Sequence, residues 1–262
     1  MHHHFIVQKN PYIATICTLF QKTFAKDYRF RGESHDFWEL VCVVEGRVEI
    51  AADDLVFEME QGQCFLHPPM QFHNIQSAGS TEPTVVILSF TGENIPHTSN
   101  TVCRAETPSQ IQRLYQLAEK FFTFRHIFVD EAKPGYLQFI KELELFLLKL
   151  SPEDSRRSNS VSARNYTAII KTLHQNLHRR LTVREIAELC SMSEINLQKT
   201  FSRYAGVGVI DYFTHIKMHH AAELLREGHS VKETALLLGY HDQNYFSTVY
   251  KRIIGQPPCK TK

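Results

Sequence analysis

The feature that most constrains the fold of this chain is a helix-turn-helix pattern that occurs twice in its C-terminal part. In the second copy, Gly239 stands at the end of one predicted helix, where a residue with positive φ is favoured. Asp242 then stands where it can cap the start of the next helix. The first copy lies upstream, and its Ala187 corresponds to Ala235 after a step of 48 residues. This recurrence indicates two copies of one structural unit.

The second helix of the second copy has one polar and basic face. Its members are Gln243, Asn244, Ser247, Thr248, Lys251 and Arg252. Side chains of these types bond base edges and phosphates, and none is typical of a hydrolytic catalyst. The pattern predicts a DNA-binding device, and an ordinary pair of packed helices is the alternative. A helix predicted over 209–225 would join the two copies and place both second helices for successive major-groove turns, about 34 Å apart.

The charge distribution also favours nucleic acid as a partner. From Val161 onward the chain has 14 Lys and Arg against 8 Asp and Glu, a net charge of +6. The preceding residues have 15 against 20, a net charge of −5. A basic solvated face without a partner is the alternative. Because the basic part coincides with the two helix-turn-helix units, we favour DNA, with counterion release supplying non-specific affinity.

Residues from about 165 to 258 resemble the AraC/XylS family of transcription regulators. The resemblance rests on an ordered set of positions in both copies and the helix between them: Ile186, Ala187, Met192, Ser193, Leu197, Phe201, Gly206, Ala221, Leu224, Leu225, Ala235, Gly239, Tyr240, Tyr245, Phe246, Tyr250, Lys251, Gly255 and Pro258. Three positions depart from the family pattern. Ser191 stands where Gly is usual, Lys217 where Arg is usual, and Pro257 where Thr or Ser is usual.

The resemblance implies which side chains contact double-stranded DNA. Base contacts would come from Ile195, Gln198 and Lys199 in the first unit and from Gln243, Asn244 and Thr248 in the second. Phosphate contacts would come from Arg203, Lys251 and Arg252. Gln and Asn suit adenine, Lys suits guanine, and Ile suits the methyl group of thymine. The resemblance also implies RNA polymerase as a partner and a cytoplasmic location.

The N-terminal part has a different pattern, because residues from about 20 to 90 form short β-rich runs separated by turn residues. This rhythm predicts a β-barrel or jelly roll. Six positions in this part resemble a cupin, the barrel that commonly precedes the DNA-binding domain in this family: His35, Glu39, Gly46, Gly62, Pro68 and His73. The predicted fold class is therefore a two-domain chain, with a cupin-like barrel carrying appended helices and an all-α domain carrying two helix-turn-helix units.

The predicted barrel has polar and aromatic side chains on the strands at its mouth: His35, Trp38, Glu39, His67, Gln71 and His73. We take all of these except His67 as the predicted effector-binding residues. Trp38 and Glu39 are neighbours in one strand, so at most one of them faces the interior. The sequence thus predicts a pocket for a small polar effector, such as a sugar or related metabolite.

A metal site is the alternative interpretation of the same residues. His35, Glu39 and His73 could supply a three-ligand site of nitrogen and oxygen atoms. Enzymatic cupins add a second His in a His-x-His pair, and position 37 is Phe. We therefore predict no metal and no other cofactor. The six cysteines form no C-x-x-C pair, so a zinc or redox motif is not supported either.

Two helical segments follow the predicted strands. The segment from Pro134 to Leu150 has apolar residues at alternating spacings of four and three: Tyr136, Ile140, Leu143, Leu147 and Leu150. This seam is interpreted as a homodimer contact, because the related family commonly dimerises here. The segment from Pro108 to about His126 is also amphipathic. Residues 151–160 are polar and lack periodicity, which is typical of a flexible linker.

The predicted organisation has four parts. They are an effector-binding barrel at 1–105, a helical dimerisation arm at 106–150, a linker at 151–160 and a DNA-binding domain at 161–262. Neither a membrane span nor an export signal is predicted. The predicted function is a transcription activator that responds to an effector and is not an enzyme. The alternative is a cupin-type metal-dependent enzyme with an accessory DNA-binding domain, which the incomplete His-x-His pair disfavours.

Overall fold

The computed structural model describes residues 10–30, 32–96, 101–119, 134–153, 156–158 and 160–261. The chain divides into two compact units, Met1–Ser158 and Asn159–Lys262. The first unit is rich in strands and the second is helical, which confirms the predicted fold class. Among the described residues, no helix has the length and apolar character needed to cross a membrane.

The strands of the first unit alternate in direction along two sheets. Their bounds are β1 (Tyr12–Thr23), β2 (Trp38–Glu45), β3 (Arg47–Ala52), β4 (Leu55–Glu60), β5 (Gln63–His67), β6 (His73–Ser77), β7 (Thr84–Glu93), β8 (Cys103–Arg104), β9 (Ser151–Pro152) and β10 (Arg156–Arg157). One sheet has the order β1-β7-β2-β5-β8-β9, and the other has the order β10-β4-β3-β6. All described pairings are antiparallel, and the sheets are not closed in the part of the chain that the structure describes.

The six-stranded sheet is covered on both faces. Val41 and Ile87 belong to the core shared with the four-stranded sheet. Leu40 and Leu88, their neighbours in the chain, belong to a second core that includes the helices after β8. Because successive strand residues point to opposite faces, a strand buried on both sides has a continuous apolar sequence. This explains the unbroken apolar run in β7.

Between β8 and β9 the described residues form two helices, α1 (Pro108–Glu119) and α2 (Pro134–Lys149). The predicted dimer seam of α2 is directed into the first unit, because Ile140, Leu143 and Leu147 are buried in the core against the six-stranded sheet. The seam interpretation was therefore wrong for these three residues. The part of the first helix predicted beyond residue 119, including Phe121 and Phe122, lies outside the described residues.

The segment predicted to be a flexible linker is attached to the first unit in its described part. β9 pairs with β8, and β10 pairs with β4. The Ser158 amide donates to the Val56 carbonyl at 2.8 Å, and the Ser158 hydroxyl donates to Glu49 at 2.9 Å. The prediction for 151–160 is thus corrected over 151–153 and 156–158. Sequence alone could not show this, because the partner strands are distant in the chain, as in the pairs Arg104 with Ser151 and Arg156 with Glu58.

The second unit is built from helices with well-defined caps. Their bounds are α3 (Val161–Gln175), α4 (Val183–Leu189), α5 (Glu194–Ala205), α6 (Val209–Arg226), α7 (Val231–Leu237) and α8 (Gln243–Ile254), followed by a 3-10 turn at Pro258–Lys260. Thr182 and Ser230 cap α4 and α7 in the same way, each in a reciprocal pair of hydrogen bonds with a Glu three residues later. Asp242 caps α8 as the sequence predicts.

The sequence repeat is also a structural repeat. α4 and α7 each have seven residues, and α5 and α8 each have twelve. Gly206 and Gly255 end α5 and α8 in the left-handed conformation, with φ of 67° and 82°. The two helix-turn-helix units therefore have matching helices and matching ends.

Candidate functional site: nucleic-acid interface and ligand site

The first candidate DNA-contacting helix is α5, which has one buried and one exposed face. Leu197, Phe201 and Tyr204 are fully buried in the second unit. The four residues predicted to contact DNA from this helix are all exposed: Ile195, Gln198, Lys199 and Arg203. Ile195 is 79% exposed, so its apolar side chain is available for contact with a partner. The helix thus presents amide, cationic and apolar groups to the surrounding solvent.

The helix α8 repeats this arrangement in the second helix-turn-helix unit. Phe246, Val249 and Tyr250 are buried, whereas the predicted contact residues are exposed: Gln243, Asn244, Thr248, Lys251 and Arg252. The Thr248 hydroxyl donates to the Asn244 carbonyl at 2.9 Å, so its proton is used within the helix. Its oxygen can still accept a hydrogen bond.

Tyr245 is a surface residue that the sequence pattern misplaced. The spacing put it on the apolar face of α8, but the side chain is 50% exposed. The Arg180 guanidinium lies 5.7 Å from the centroid of the Tyr245 ring, within the range of a cation–π contact. The two side chains therefore extend the exposed face beyond the residues that were predicted. The pairing joins α8 to the loop after α3, which no local pattern could indicate.

A buried lysine fixes the second helix-turn-helix unit to the rest of the helical domain. The Lys217 ammonium donates to the carbonyls of Arg179 and Leu238, and its nitrogen lies 4.7 Å from the centroid of the Phe213 ring. Burial lowers the pKa of Lys217 to about 8, with the neighbouring Arg180 charge acting in the same direction. Lys217 thus binds carbonyls on two segments at the position where the family usually has Arg.

The second candidate site is a cavity of about 310 Å³ in the first unit. Its lining combines aromatic side chains, such as Tyr28 and Phe30, with ionisable ones. Glu39 and His73 line it as the sequence predicts. His67, Glu33 and Lys22 line it as well. Cavities of this size hold small molecules.

The structure decides between the neighbours Trp38 and Glu39. Glu39 lines the cavity, whereas Trp38 packs against the core on the opposite face of the sheet. The prediction of Trp38 as a pocket residue was therefore wrong, because alternate residues of a strand point to opposite faces. Gln71 and His35 were also predicted as pocket residues, but neither is among the described lining residues. Oε1 of Gln71 lies behind the lining, 2.8 Å from Nδ1 of His67.

Two histidines approach the Glu39 carboxylate from different segments. Nε2 of His73 lies 3.2 Å from Oε1 of Glu39, and Nε2 of His35 lies 3.6 Å from Oε2. The other ring nitrogen of each histidine faces a backbone carbonyl at 3.0 Å, that of Gln71 for His73 and that of Phe37 for His35. Nδ1 of each ring can donate to its carbonyl, and each Nε2 is directed at the carboxylate.

The electrostatics of this group follow from burial and proximity. Burial raises the pKa of Glu39, but hydrogen bonds with His35 and His73 and nearby histidine charge outweigh it, so the pKa lies well below the usual range. Burial lowers the pKa of His73, and the Glu39 hydrogen bond and charge reverse this into a net increase. The pKa of His67 lies well below normal, chiefly because of burial. Glu39 is therefore an anion at neutral pH.

Glu33 is the site residue that sequence reasoning missed. One ligand atom from each of Glu33, His35, Glu39 and His73 lies within 4.8 Å of the others. Mutual hydrogen bonds of 2.9 and 3.0 Å between the backbones of Glu33 and His73 hold these two residues opposite each other. The His-x-His pattern directs attention to the position two residues after His35. The acidic residue two positions before it was the available signal.

Two family models match the chain. The model described as AraC-like ligand binding domain matches residues 21–123, and the model described as helix-turn-helix domain matches residues 186–262. Together they cover more than half of the chain. The first model contains most of the cavity lining, and the second contains most of both helix-turn-helix units.

Individual relatives are regulators of transcription. The MmsAB operon regulatory protein of Pseudomonas aeruginosa is 22% identical over 250 residues, which cover 89% of this chain and 78% of that protein. The bifunctional transcriptional activator/DNA repair enzyme AdaA of Bacillus subtilis is 25% identical over 93 residues, or 35% of this chain and 44% of that protein. The chain therefore spans most of the first relative and less than half of the second.

Among solved structures, ToxT from Vibrio cholerae aligns with 96% of this chain and 96% of its own, at 14% identity and a TM-score of 0.35. A likeness this weak carries no structural argument. Each of the two family matches lies within one unit of the observed fold, and the helix-turn-helix match includes most of the described repeat. By these matches and by its relatives, the chain belongs to the AraC family of DNA-binding transcription regulators.

Proposed function

We propose that this regulator is an activator that reads a DNA sequence with α5 and α8. The observation that supports the proposal is the pair of equal helices, each buried on one face and polar and basic on the other. Two such helices suit successive major-groove turns of double-stranded DNA. The activator acts in the cytoplasm, where bacterial relatives have their DNA, and recruits RNA polymerase.

The proposed contacts separate into base reading and phosphate binding. The first helix-turn-helix unit reads bases with Gln198, Lys199 and Ile195. The second helix-turn-helix unit does so with Gln243, Asn244 and Thr248. Arg203, Lys251 and Arg252 bind phosphate, because they lie towards the last turns of their helices. All of these side chains are exposed, which direct contact with DNA requires.

The proposed effector is a small polar molecule bound in the cavity of the first unit. The cavity volume of about 310 Å³ lies at the small end of ligand sites. Glu39, His73 and His67 supply fixed polar groups, and His35 and Gln71 hold them in place. A ligand of this kind can change DNA affinity only if it binds two arrangements of the protein unequally. We expect a change of about 5–150-fold in operator affinity.

The proposed dimer contact lies on the exposed face of α2 rather than on the buried seam. Leu137, Leu145 and Leu148 are each about half exposed, whereas the central residues of the seam are buried. Leu145→Asp with Leu148→Asp should give a folded monomer, measured by sedimentation, since neither side chain supports the core. Leu143→Asp is the contrasting variant and should unfold the first unit, because it buries an unpaired charge. A double variant that still sediments as a dimer would refute this contact.

The alternative function is an enzyme, and AdaA shows that a protein with a related DNA-binding part can be bifunctional. We propose that this chain has no catalytic role, because its relatives along most of its length are described as regulators. The proposed parts remain 1–105 for effector binding, 106–150 for dimerisation and 161–262 for DNA binding. Residues 151–153 and 156–158 belong to the first unit.

The experiment that tests this function is a genome-wide binding footprint of the full chain, followed by affinity measurements on the recovered sites. Gln198→Ala with Asn244→Ala should abolish the sequence preference and leave non-specific binding. Lys171→Ala is the control, because Lys171 is an exposed cation on α3, outside both helix-turn-helix units. Equal loss in the control, or a footprint without sequence preference in the unmodified chain, would contradict the proposal.

A further inference from the structure

Four potential metal ligands converge from three separate segments, and three of them line the cavity. Glu33 and His35 precede β2, Glu39 lies in β2, and His73 begins β6. The ligand atoms lie within 4.8 Å of one another. Ligands at about 2.0–2.2 Å from a common zinc ion are spaced by about 3–4 Å, so only a small contraction is needed. The residues come from different segments, so the tertiary structure assembles the group.

The histidines are oriented as metal ligands are. In both His35 and His73, Nδ1 faces a backbone carbonyl at 3.0 Å, which is the usual outer support of a metal-binding imidazole. Both Nε2 atoms are buried, and apart from the Glu39 carboxylate neither has a hydrogen-bond partner among the residues that the structure describes. Their nearest anion is the Glu39 carboxylate, which pairs with them only when the rings are protonated. A cation between these atoms would satisfy both neutral rings and the carboxylate.

The charges and donor types select the class of ion. Two imidazole nitrogens and two carboxylates suit a divalent transition metal such as Zn²⁺, Co²⁺, Ni²⁺ or Fe²⁺. The two carboxylates of Glu33 and Glu39 would balance its charge, which matters because a buried charge without compensation is costly. Glu33, Glu39 and His73 also line the cavity, so a small molecule in the cavity could reach the ion.

We propose that Glu33, His35, Glu39 and His73 bind one divalent transition-metal ion in the first unit. The inference deepens the proposed function, on which it rests for the role of the cavity, by naming the ligand class of that cavity. It also replaces the prediction that no metal binds, which considered only three ligands. The enzymatic pattern has a second histidine as its fourth ligand, and here the carboxylate of Glu33 takes that role.

The test measures metal binding to the full chain in the absence of DNA. His2, His3 and His4 are first changed to Ala, because a run of histidines can bind metal by itself. The chain is stripped with a chelator and titrated with Co²⁺, and bound metal is measured by equilibrium dialysis and by the visible absorption of Co²⁺. We expect one ion per chain. Binding that does not saturate at one ion, or no absorption change, overturns the proposal.

The variants assign the ion to the four residues. Glu33→Gln should weaken Co²⁺ binding at least tenfold, and because Glu33 is exposed this change leaves the core intact. Glu39→Gln and His73→Gln should weaken it further. Glu49→Gln is the matched control, since Glu49 is a buried carboxylate in the four-stranded sheet of the same unit. Undiminished binding in Glu33→Gln, or equal weakening in Glu49→Gln, overturns the assignment. Neither result bears on DNA binding, so failure here is distinguishable from failure of the proposed function.

Discussion

The two helix-turn-helix units have the same helix lengths but differ at the residue that makes each turn. Ser191 follows α4 with φ of 54°, and Gly239 follows α7 with φ of 75°. Both are left-handed, yet only the second unit has the residue that adopts this conformation without strain. A Cβ at Gly239 would lie 2.8 Å from the His178 carbonyl oxygen. In the first turn, where the residue is Ser191, only the left-handed backbone favours glycine. In the second turn, close packing around Gly239 favours glycine as well.

The exposed faces of α5 and α8 differ in a parallel way. The predicted base-contacting set of α5 includes the cation Lys199 and the 79% exposed Ile195. The corresponding set of α8 has only neutral polar side chains, with Lys251 and Arg252 in its last turn. From this comparison we expect the first helix-turn-helix unit to contribute more to sequence discrimination. The second helix-turn-helix unit should contribute more to attachment along the phosphate backbone.

The largest expected effect is that of Gly239→Ala. Left-handed strain and displacement of the backbone near His178 should together lower the free energy of unfolding by about 2–5 kcal/mol. Gly228→Ala is the matched control, because Gly228 has φ of 98° and no atom lies within 4 Å of the position that a Cβ would take there. It should lose only the strain, about 1–2 kcal/mol. Urea unfolding measures both, and equal losses would show that packing at the second turn is unimportant.

The next effect concerns sequence discrimination by the first helix-turn-helix unit. Gln198→Ala and Lys199→Ala should each lose about 1–3 kcal/mol of preference for the operator over a sequence altered under α5. Thr248→Ala should lose less, since the Thr248 hydroxyl proton is already donated within α8. Competition binding with paired DNA duplexes gives the comparison. If Thr248→Ala costs more than Lys199→Ala, the proposed division between the units is reversed.

Phosphate binding by the second unit should appear in the salt dependence. Lys251→Ala or Arg252→Ala should weaken binding to all duplexes by the same factor. Each lost phosphate contact should lower the slope of log affinity against log salt by about 0.9. The measurement is a salt series on operator and random DNA with each variant. A loss confined to the operator would identify these residues as base readers instead.

The smallest effect is expected at the first turn. Ser191→Gly should raise the free energy of unfolding by about 0.5 kcal/mol, because relief of left-handed strain exceeds the extra conformational entropy of glycine in the unfolded chain. The Ser191 side chain is exposed, so little packing is lost. The opposite sign in urea unfolding would mean that the serine hydroxyl stabilises this turn.

The sequence was sufficient to predict the helices and exposed faces of the helical second unit, because the signals for them are local. Caps, turn residues and apolar spacing act within a few residues, and Asp242, Gly206 and Gly255 have the predicted roles. A helix period then separates buried from exposed residues, as it does for Phe201 and Gln198. Tyr245 is the exception, because its environment depends on Arg180 from another segment.

In the strand-rich first unit, several features could be seen only in the tertiary structure. Its strand content and fold class followed from the sequence, but Trp38 and Glu39 exchange faces with a one-residue change of register. Leu143 could equally have met a second chain or the sheet, since both bury an apolar seam. Only the fold showed that it meets the sheet.

The sequence by itself thus determined the family, the two-part architecture and the exposed faces of α5 and α8, because each depends on spacing along the chain. The tertiary structure alone decided that Glu33 joins His35, Glu39 and His73, and that residues 151–153 and 156–158 belong to the first unit. These arrangements depend on hydrogen bonds and packing between segments far apart in the chain. Local periodicity carries no record of such partners.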